Sequence, residues 1–262
     1  KHLNYGGSKI RPEATGYGLT YFTQEILKDM GETFAGKTVA VSGYGNVAWG
    51  TAEKMTELGA KVVTISGSKG YVYAKDGLTK EQIDYMLVLR ANKDVTLKDF
   101  AEKKQDRDIL VRLIVKKTAG CFAYAAVRNQ STDFPVIAIQ NEIVLEDAKL
   151  LVANGVKVVC EGANMPCSNE AIDLFEKSGV KFGAAKAANA GGVAVSALEM
   201  SQNSMRYQWT AEEVDKKLHE IMKDIYEKSK EMSEKYNVSL AKGANIAGFK
   251  KVADTMIMQG NY

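Results

Sequence analysis

Residues 37–67, KTVAVSGYGNVAWGTAEKMTELGAKVVTISG, decide the fold. An apolar run at Thr38–Val41 meets the glycine-rich turn Gly43-Tyr44-Gly45-Asn46-Val47-Ala48. A helical stretch from Asn46 to Leu58 follows, Gly59 stops it, and a second apolar run covers Val62–Ile65. Strand, turn, helix and strand within about 30 residues form a βαβ unit, which implies a parallel sheet and a right-handed crossover. A GxGxxA hexapeptide alone is a weak signal. Placed after a strand and opening a helix, it is a dinucleotide fingerprint. Gly43 permits the tight turn, Gly45 lets backbone approach a pyrophosphate, and Ala48 allows close helix–strand packing. The helix N-terminus offers free N–H groups and a positive dipole end, which Asn46 and Val47 open.

Outward from this unit the alternation continues. Tyr17, Phe22, Ile26 and Leu27 recur at helical spacing between Pro12 and Met30, before Gly31. YVYAKDGL reads as a short strand with an Asp76-Gly77 turn, and helices are expected over Lys80–Asn92 and Leu97–Lys103. A helix to about Asn154 precedes a strand at Val156–Cys160; the helix NEAIDLFEKSG precedes a strand near Val180–Ala184. Helices are expected over Val193–Met205, Ala211–Tyr236 and Ala247–Met258. The fold class is α/β: a doubly wound, Rossmann-like, mostly parallel sheet with C-terminal helices. The 262 residues make one dinucleotide-binding domain, with an entry helix in 1–30, the Rossmann core in 31–190 and terminal helices in 191–262.

Composition excludes several classes. The chain is 45% hydrophobic and 26% charged with a net charge of +3, an ordinary globular balance without the basic stripe of a nucleic-acid binder. Cys121, Cys160 and Cys167 make no CxxC pair and are odd in number, which suits reduced thiols in a cytoplasmic protein. Two histidines, His2 and His219, are too few for a zinc site. No apolar stretch approaches 18 residues and no signal peptide opens the chain.

The second strand of the unit ends at Ser66-Gly67-Ser68-Lys69, with no acid before Asp76. A carboxylate here would accept from the ribose 2′-OH of NAD; hydroxyls and a lysine suit a 2′-phosphate. NADP is therefore favoured, with NAD still open. Arg90 and Lys93 on the next helix are further cations that either face this phosphate or lie on a solvated surface.

Five blocks carry a resemblance: GGSKIRPEATGYG (6–18), GYGNVAWG (43–50), EGANMP (161–166), KAANAGGVAVSALEMSQN (186–203) and GANIAGFKKVADTM (243–256). In this order they resemble the second domain of the hexameric bacterial and fungal glutamate dehydrogenases, over Tyr5–Lys103 and Gln140–Gly260. That resemblance implies reversible oxidative deamination of L-glutamate to 2-oxoglutarate and ammonia, in a homo-hexamer. It places Thr15, Asn46, Gln140 and Asn164 near the cofactor, the last beside the nicotinamide ribose. Asn189 and Val193 would border the cleft, and Ser196 would bond the glutamate side-chain carboxylate. Residue chemistry alone gives Ser196 a plainer role, a helix serine bonding back to its own turn. Asn164 equally suits an Asx-turn before Pro166. The family's catalytic lysine and aspartate belong to first-domain segments that match nothing in this chain. The chain is read as a fragment, and no catalytic residue is assigned. Two alternatives remain: a dehydrogenase of an apolar amino acid, against which Ser196 speaks, and a dinucleotide-binding module without catalysis.

One window departs from these blocks. Residues 103–139 hold Arg107, Arg112 and Arg128, three of the chain's six arginines, and no glutamate. Val136 and Ile139 stand where the family has a proline and a threonine. We read this window as a shifted frame later restored; a true loop insertion is the alternative, which the apolar run Ile109–Val115 disfavours. On this reading one strand of the sheet is not authentic.

Overall fold

A computed structural model describes residues 5–67, 70–91, 109–113, 134–137 and 143–260. Helix α1 (Ala14–Asp29) leads into β1 (Thr38–Val41), α2 (Asn46–Glu57), β2 (Lys61–Gly67), β3 (Gly70–Ala74) and α3 (Lys80–Ala91). Strands β4 (Ile109–Leu113) and β5 (Phe134–Ile137) follow, then α4 (Leu145–Ala153), β6 (Val158–Glu161), α5 (Asn169–Lys177) and β7 (Lys181–Gly183). A short α6 (Ala185–Ala188) precedes α7 (Gly191–Met205), α8 (Ala211–Tyr236) and α9 (Leu240–Gln259).

The sheet runs in the order β4-β3-β2-β1-β5-β6-β7. Strands β2, β1, β5, β6 and β7 run parallel to one another, and β3 is antiparallel to both β2 and β4. Chain order therefore advances one way from β1 to β2 and the other way from β5 to β6. With right-handed crossovers, that reversal puts α2 and α4 on opposite faces and opens a crevice at the carboxyl ends of β1 and β5. Val39, Ala40 and Val41 of β1 and Val62–Ser66 of β2 are buried without alternation, the pattern of strands covered on both faces. The expected doubly wound, mostly parallel sheet is present.

Helix α1 sits at the centre of the helical packing, against α2, α7 and α8. Leu19, Phe22, Ile26 and Leu27 bury its apolar side, while glycines set its distance from its neighbours. A Cβ on Gly16 would lie 2.4 Å from the Thr51 N of α2, and one on Gly18 would lie 2.6 Å from the Gly191 Cα of α7. Polar ties lock the same bundle. The Lys54 ammonium lies 4.2 Å from the Tyr17 ring centroid and pairs with Glu57 (2.8 Å) and Asp215 (3.3 Å), joining α1, α2 and α8. Tyr17 donates to Glu53 at 2.8 Å and Tyr21 to Asp215 at 2.6 Å.

Helix α8 has the bounds its sequence foretold. Thr210 accepts from Glu213 N while Glu213 accepts from Thr210 N, a capping box, and Asn237 ends the helix in the left-handed region. Val214, Leu218, Met222 and Tyr226 face the core at one-turn intervals. Helix α9 begins seven residues before the expected Ala247, because Ser239 caps it and Gly243 is a contact residue. A Cβ on Gly243 would meet the Ser229 carbonyl of α8 at 2.3 Å.

His219 of α8 stacks on Tyr21, with centroids 4.3 Å apart. Burial lowers its pKa below the ordinary 6.5 and Lys28 adds to this; Glu25 and Asp215 oppose, and Lys223 acts with Lys28. The folded state prefers the neutral ring, so this contribution is full above the unfolded pKa and is lost as pH falls through the folded one. Melting temperature should therefore fall between about pH 7.5 and 5.5, around the ordinary histidine value. His219→Phe, which keeps the stacking, should flatten that dependence. An unchanged slope would assign the titration to another group.

Candidate functional site

The glycine turn hangs from the end of β1. Gly43 has φ 111°, the left-handed region open to glycine. Its N–H donates to Ser66 Oγ at 3.1 Å, and Ser66 N donates to Gly43 O at 3.1 Å. Ser66 is fully buried, 3.3 Å from Ser42 Oγ. Ser66, expected at a ribose 2′-phosphate, here fixes the turn from inside through its bonds with Gly43. Gly45 caps α2 in an extended conformation (φ −90°, ψ −173°), no side chain caps that helix, and a Cβ on Gly45 would meet nothing within 4 Å. A backbone cradle with open space above it fits a phosphate. Asn46 is exposed and Val47 half-buried at its mouth.

Beside this turn lies a cavity of about 680 Å³, lined by Arg11, Thr15, Val47, Gly162, Ala163, Asn164, Asn189, Gly192, Val193 and Ser196. That volume suits a small-molecule site. Thr15, Val47, Asn164, Asn189, Val193 and Ser196, six of the residues expected at the site, line this single cavity. Ser68, Lys69, Lys93 and Gln140 lie outside the described residues, as does the helix expected over 97–103. Of the window 103–139, only β4 and β5 are described.

Three elements converge on the cavity. The segment before α1 is tied to α7 through Gly7 N to Asn203 Oδ1 (2.8 Å) and Gln202 Nε2 to Ser8 Oγ (2.8 Å). That places Arg11 against Ser196: its Nη2 donates to Ser196 Oγ at 2.5 Å, and its Nε pairs with Glu199 at 3.2 Å. Ser196 Oγ also donates to Gly192 O at 3.0 Å, the plain helix-serine bond, while the residue lines the cavity. A Cβ on Gly192 would sit 2.5 Å from Thr15 Oγ1; glycine brings the two helices together there.

On the far wall, Asn189 Nδ2 donates to Asn164 Oδ1 at 3.0 Å. Beneath them Glu161 is buried at the end of β6. One of its oxygens accepts from Cys167 N (3.2 Å) and the other from Ala185 N (2.9 Å). Burial pushes its carboxyl above the usual value, against the opposing pull of the Ala185 and Cys167 N–H bonds.

Sequence reasoning missed Arg11, Glu199 and Glu161. Arg11 stands inside a quoted block one turn ahead of Thr15, a usable signal. Glu161 heads the EGANMP block and carried none. Among the described residues, no group of three or more His, Cys, Asp or Glu could hold a metal ion, and no helix is long and apolar enough to cross a membrane.

A family profile described as glutamate/leucine/phenylalanine/valine dehydrogenase matches residues 6–260. The chain belongs to that family. Among the dehydrogenase relatives, NAD-specific glutamate dehydrogenase of Clostridium symbiosum is 45% identical over 99% of this chain and 56% of the relative. NADP-specific glutamate dehydrogenase of Haemophilus influenzae is 47% identical over the same shares. Glutamate dehydrogenase 2 of Plasmodium falciparum superposes with a TM-score of 0.90 at 43% identity, covering all of this chain and 56% of that one. The chain thus spans about half the length of these dehydrogenases. Relatives specific for either cofactor match it about equally.

Proposed function

We propose that this chain is the dinucleotide-binding part of a glutamate dehydrogenase, acting in reversible oxidative deamination of L-glutamate to 2-oxoglutarate and ammonia. The observation that carries this is Arg11 beside Ser196 in the cavity next to the glycine turn. A guanidinium and a hydroxyl suit a carboxylate side chain. An apolar side chain would gain no hydrogen bond from either group, which argues against the apolar amino-acid reading.

A bound nicotinamide would supply the hydride acceptor for oxidation at the substrate α-carbon. The uncapped start of α2 and Gly45 would hold the pyrophosphate, Thr15 and Asn164 would hold the nicotinamide half, and Arg11 and Ser196 would orient the substrate. Proton transfer is assigned to a lysine and an aspartate from segments this chain does not contain. A cytoplasmic homo-hexamer is the setting proposed for the full-length enzyme. With Ser66 occupied inside the turn, the case for NADP rests on Ser68 and Lys69, and NAD remains an alternative cofactor.

Fluorescence titration with NADPH and NADH, followed by assays with glutamate and with 2-oxoglutarate plus ammonia, tests the proposal. The chain should bind a dinucleotide and show no turnover; turnover above background would overturn the division of roles. In the full-length enzyme, Ser196→Val should raise KM for glutamate about ten- to a hundredfold, the worth of one bond to a charged carboxylate. An unchanged KM would leave Ser196 only its bonds with Gly192 and Arg11.

A further inference from the structure

We propose that Glu161 is a positioning residue: its buried carboxylate clamps the two loops that carry Asn164 and Asn189, and so sets the nicotinamide half of the cleft. The inference rests on the dinucleotide reading above. The bonds close a ring. From Glu161 one bond runs to Cys167 N, at the end of the turn that bears Asn164. The other runs to Ala185 N, at the start of α6, whose far end is Asn189. The Asn189–Asn164 bond completes the circuit on the cleft side.

The turn between needs such a clamp. Met165 has φ 51°, a left-handed conformation that a non-glycine residue holds only when its surroundings enforce it. Cys167 and Ala185 are themselves buried, so without Glu161 their N–H groups would lose these acceptors away from water. Topology fixes which half of the ligand feels this. In a doubly wound sheet the dinucleotide spans the carboxyl ends about the switch point. The adenosine then lies over β2, the pyrophosphate over β1, and the nicotinamide half toward β5 and β6, where Glu161 ends its strand.

The test compares two probes on the whole chain, NADPH and ADP-ribose, which lacks the nicotinamide. Glu161→Gln replaces one acceptor oxygen with an amide NH₂ facing a backbone N–H, so one side of the clamp is lost. Kd for NADPH should rise about tenfold, the worth of one bond to a charged group. Kd for ADP-ribose should stay within twofold. Equal weakening of both probes, or of neither, would overturn the positioning role. If Glu161→Gln does not fold, amide NMR of the wild type decides instead. Cys167 and Ala185 N–H signals should shift with NADPH and not with ADP-ribose; equal shifts, or none, would overturn it. Wild-type chain that binds neither probe would instead remove the dinucleotide reading beneath this inference, a failure distinct from that of the clamp.

Discussion

Gly45→Val should leave the fold intact and weaken dinucleotide binding by at least about a hundredfold. Both halves of that expectation follow from the turn's geometry. Gly45 has an extended backbone, which a β-branched residue adopts without strain, and its Cβ would enter open space. The folding cost is the poorer helix cap, about 1 kcal/mol, or roughly 2–4 °C for a chain of this size. The same Cβ and its methyls would fill the space over the first turn of α2, where the pyrophosphate has to lie. Two charge-assisted bonds lost at about 1.5–3 kcal/mol each exceed a hundredfold. Gly43→Val should behave oppositely in origin: at φ 111° the substitution strains the fold itself. Melting curves and NADPH titrations of both variants separate the cases. If Gly45→Val binds like wild type, the phosphate does not lie over this turn.

The parts of this fold written in local pattern were legible; those made by contacts across the chain were not. Apolar runs and the glycine spacing of residues 37–67 give β1, α2 and β2 nearly to the residue, since period and turn chemistry are local. Helix α8 carries its own cap, stripe and stop, and its bounds match the expectation. Helix α9 begins earlier because Gly243 looks like a breaker in sequence, and only the α8 backbone reveals it as a packing residue. Ser66 has the right chemistry at the right strand end for a phosphate ligand. Its burial and its bond to Gly43 N arise where the glycine turn folds over the end of β2, a contact that no local pattern announces. Arg11 acquires its role from Ser196 and Glu199, partners 185 and 188 residues away. No period or motif encodes such a pair. Glu161 is a harder case still, because its partners are backbone N–H groups, which every residue type but proline can supply.

Gly16→Ala has a sign that helix propensity alone gets wrong. Gly16 lies inside α1, where alanine would ordinarily gain about 1 kcal/mol. The added Cβ, however, would sit 2.4 Å from Thr51 N, 2.6 Å from Val47 O and 2.7 Å from Gly50 C. All three are backbone atoms of α2, so no rotamer change relieves the contact and one helix has to move away from the other. Overpacking of this kind costs roughly 1–3 kcal/mol and occasionally more. With three backbone clashes at once, the upper end of that range applies and outweighs the propensity gain. A net loss of about 2 kcal/mol would lower the melting temperature by roughly 4–8 °C. The movement would also part Thr15 from Val47 across the cleft, so NADPH affinity should fall along with stability. Gly248→Ala is the control: it lies in α9, and its Cβ would meet nothing within 4 Å. Propensity alone acts there, and the variant should melt at or slightly above the wild-type temperature. A Gly16→Ala chain as stable as wild type would mean that α1 and α2 do not pack at this separation, and the close approach that brings Thr15 to the glycine turn would have to be abandoned.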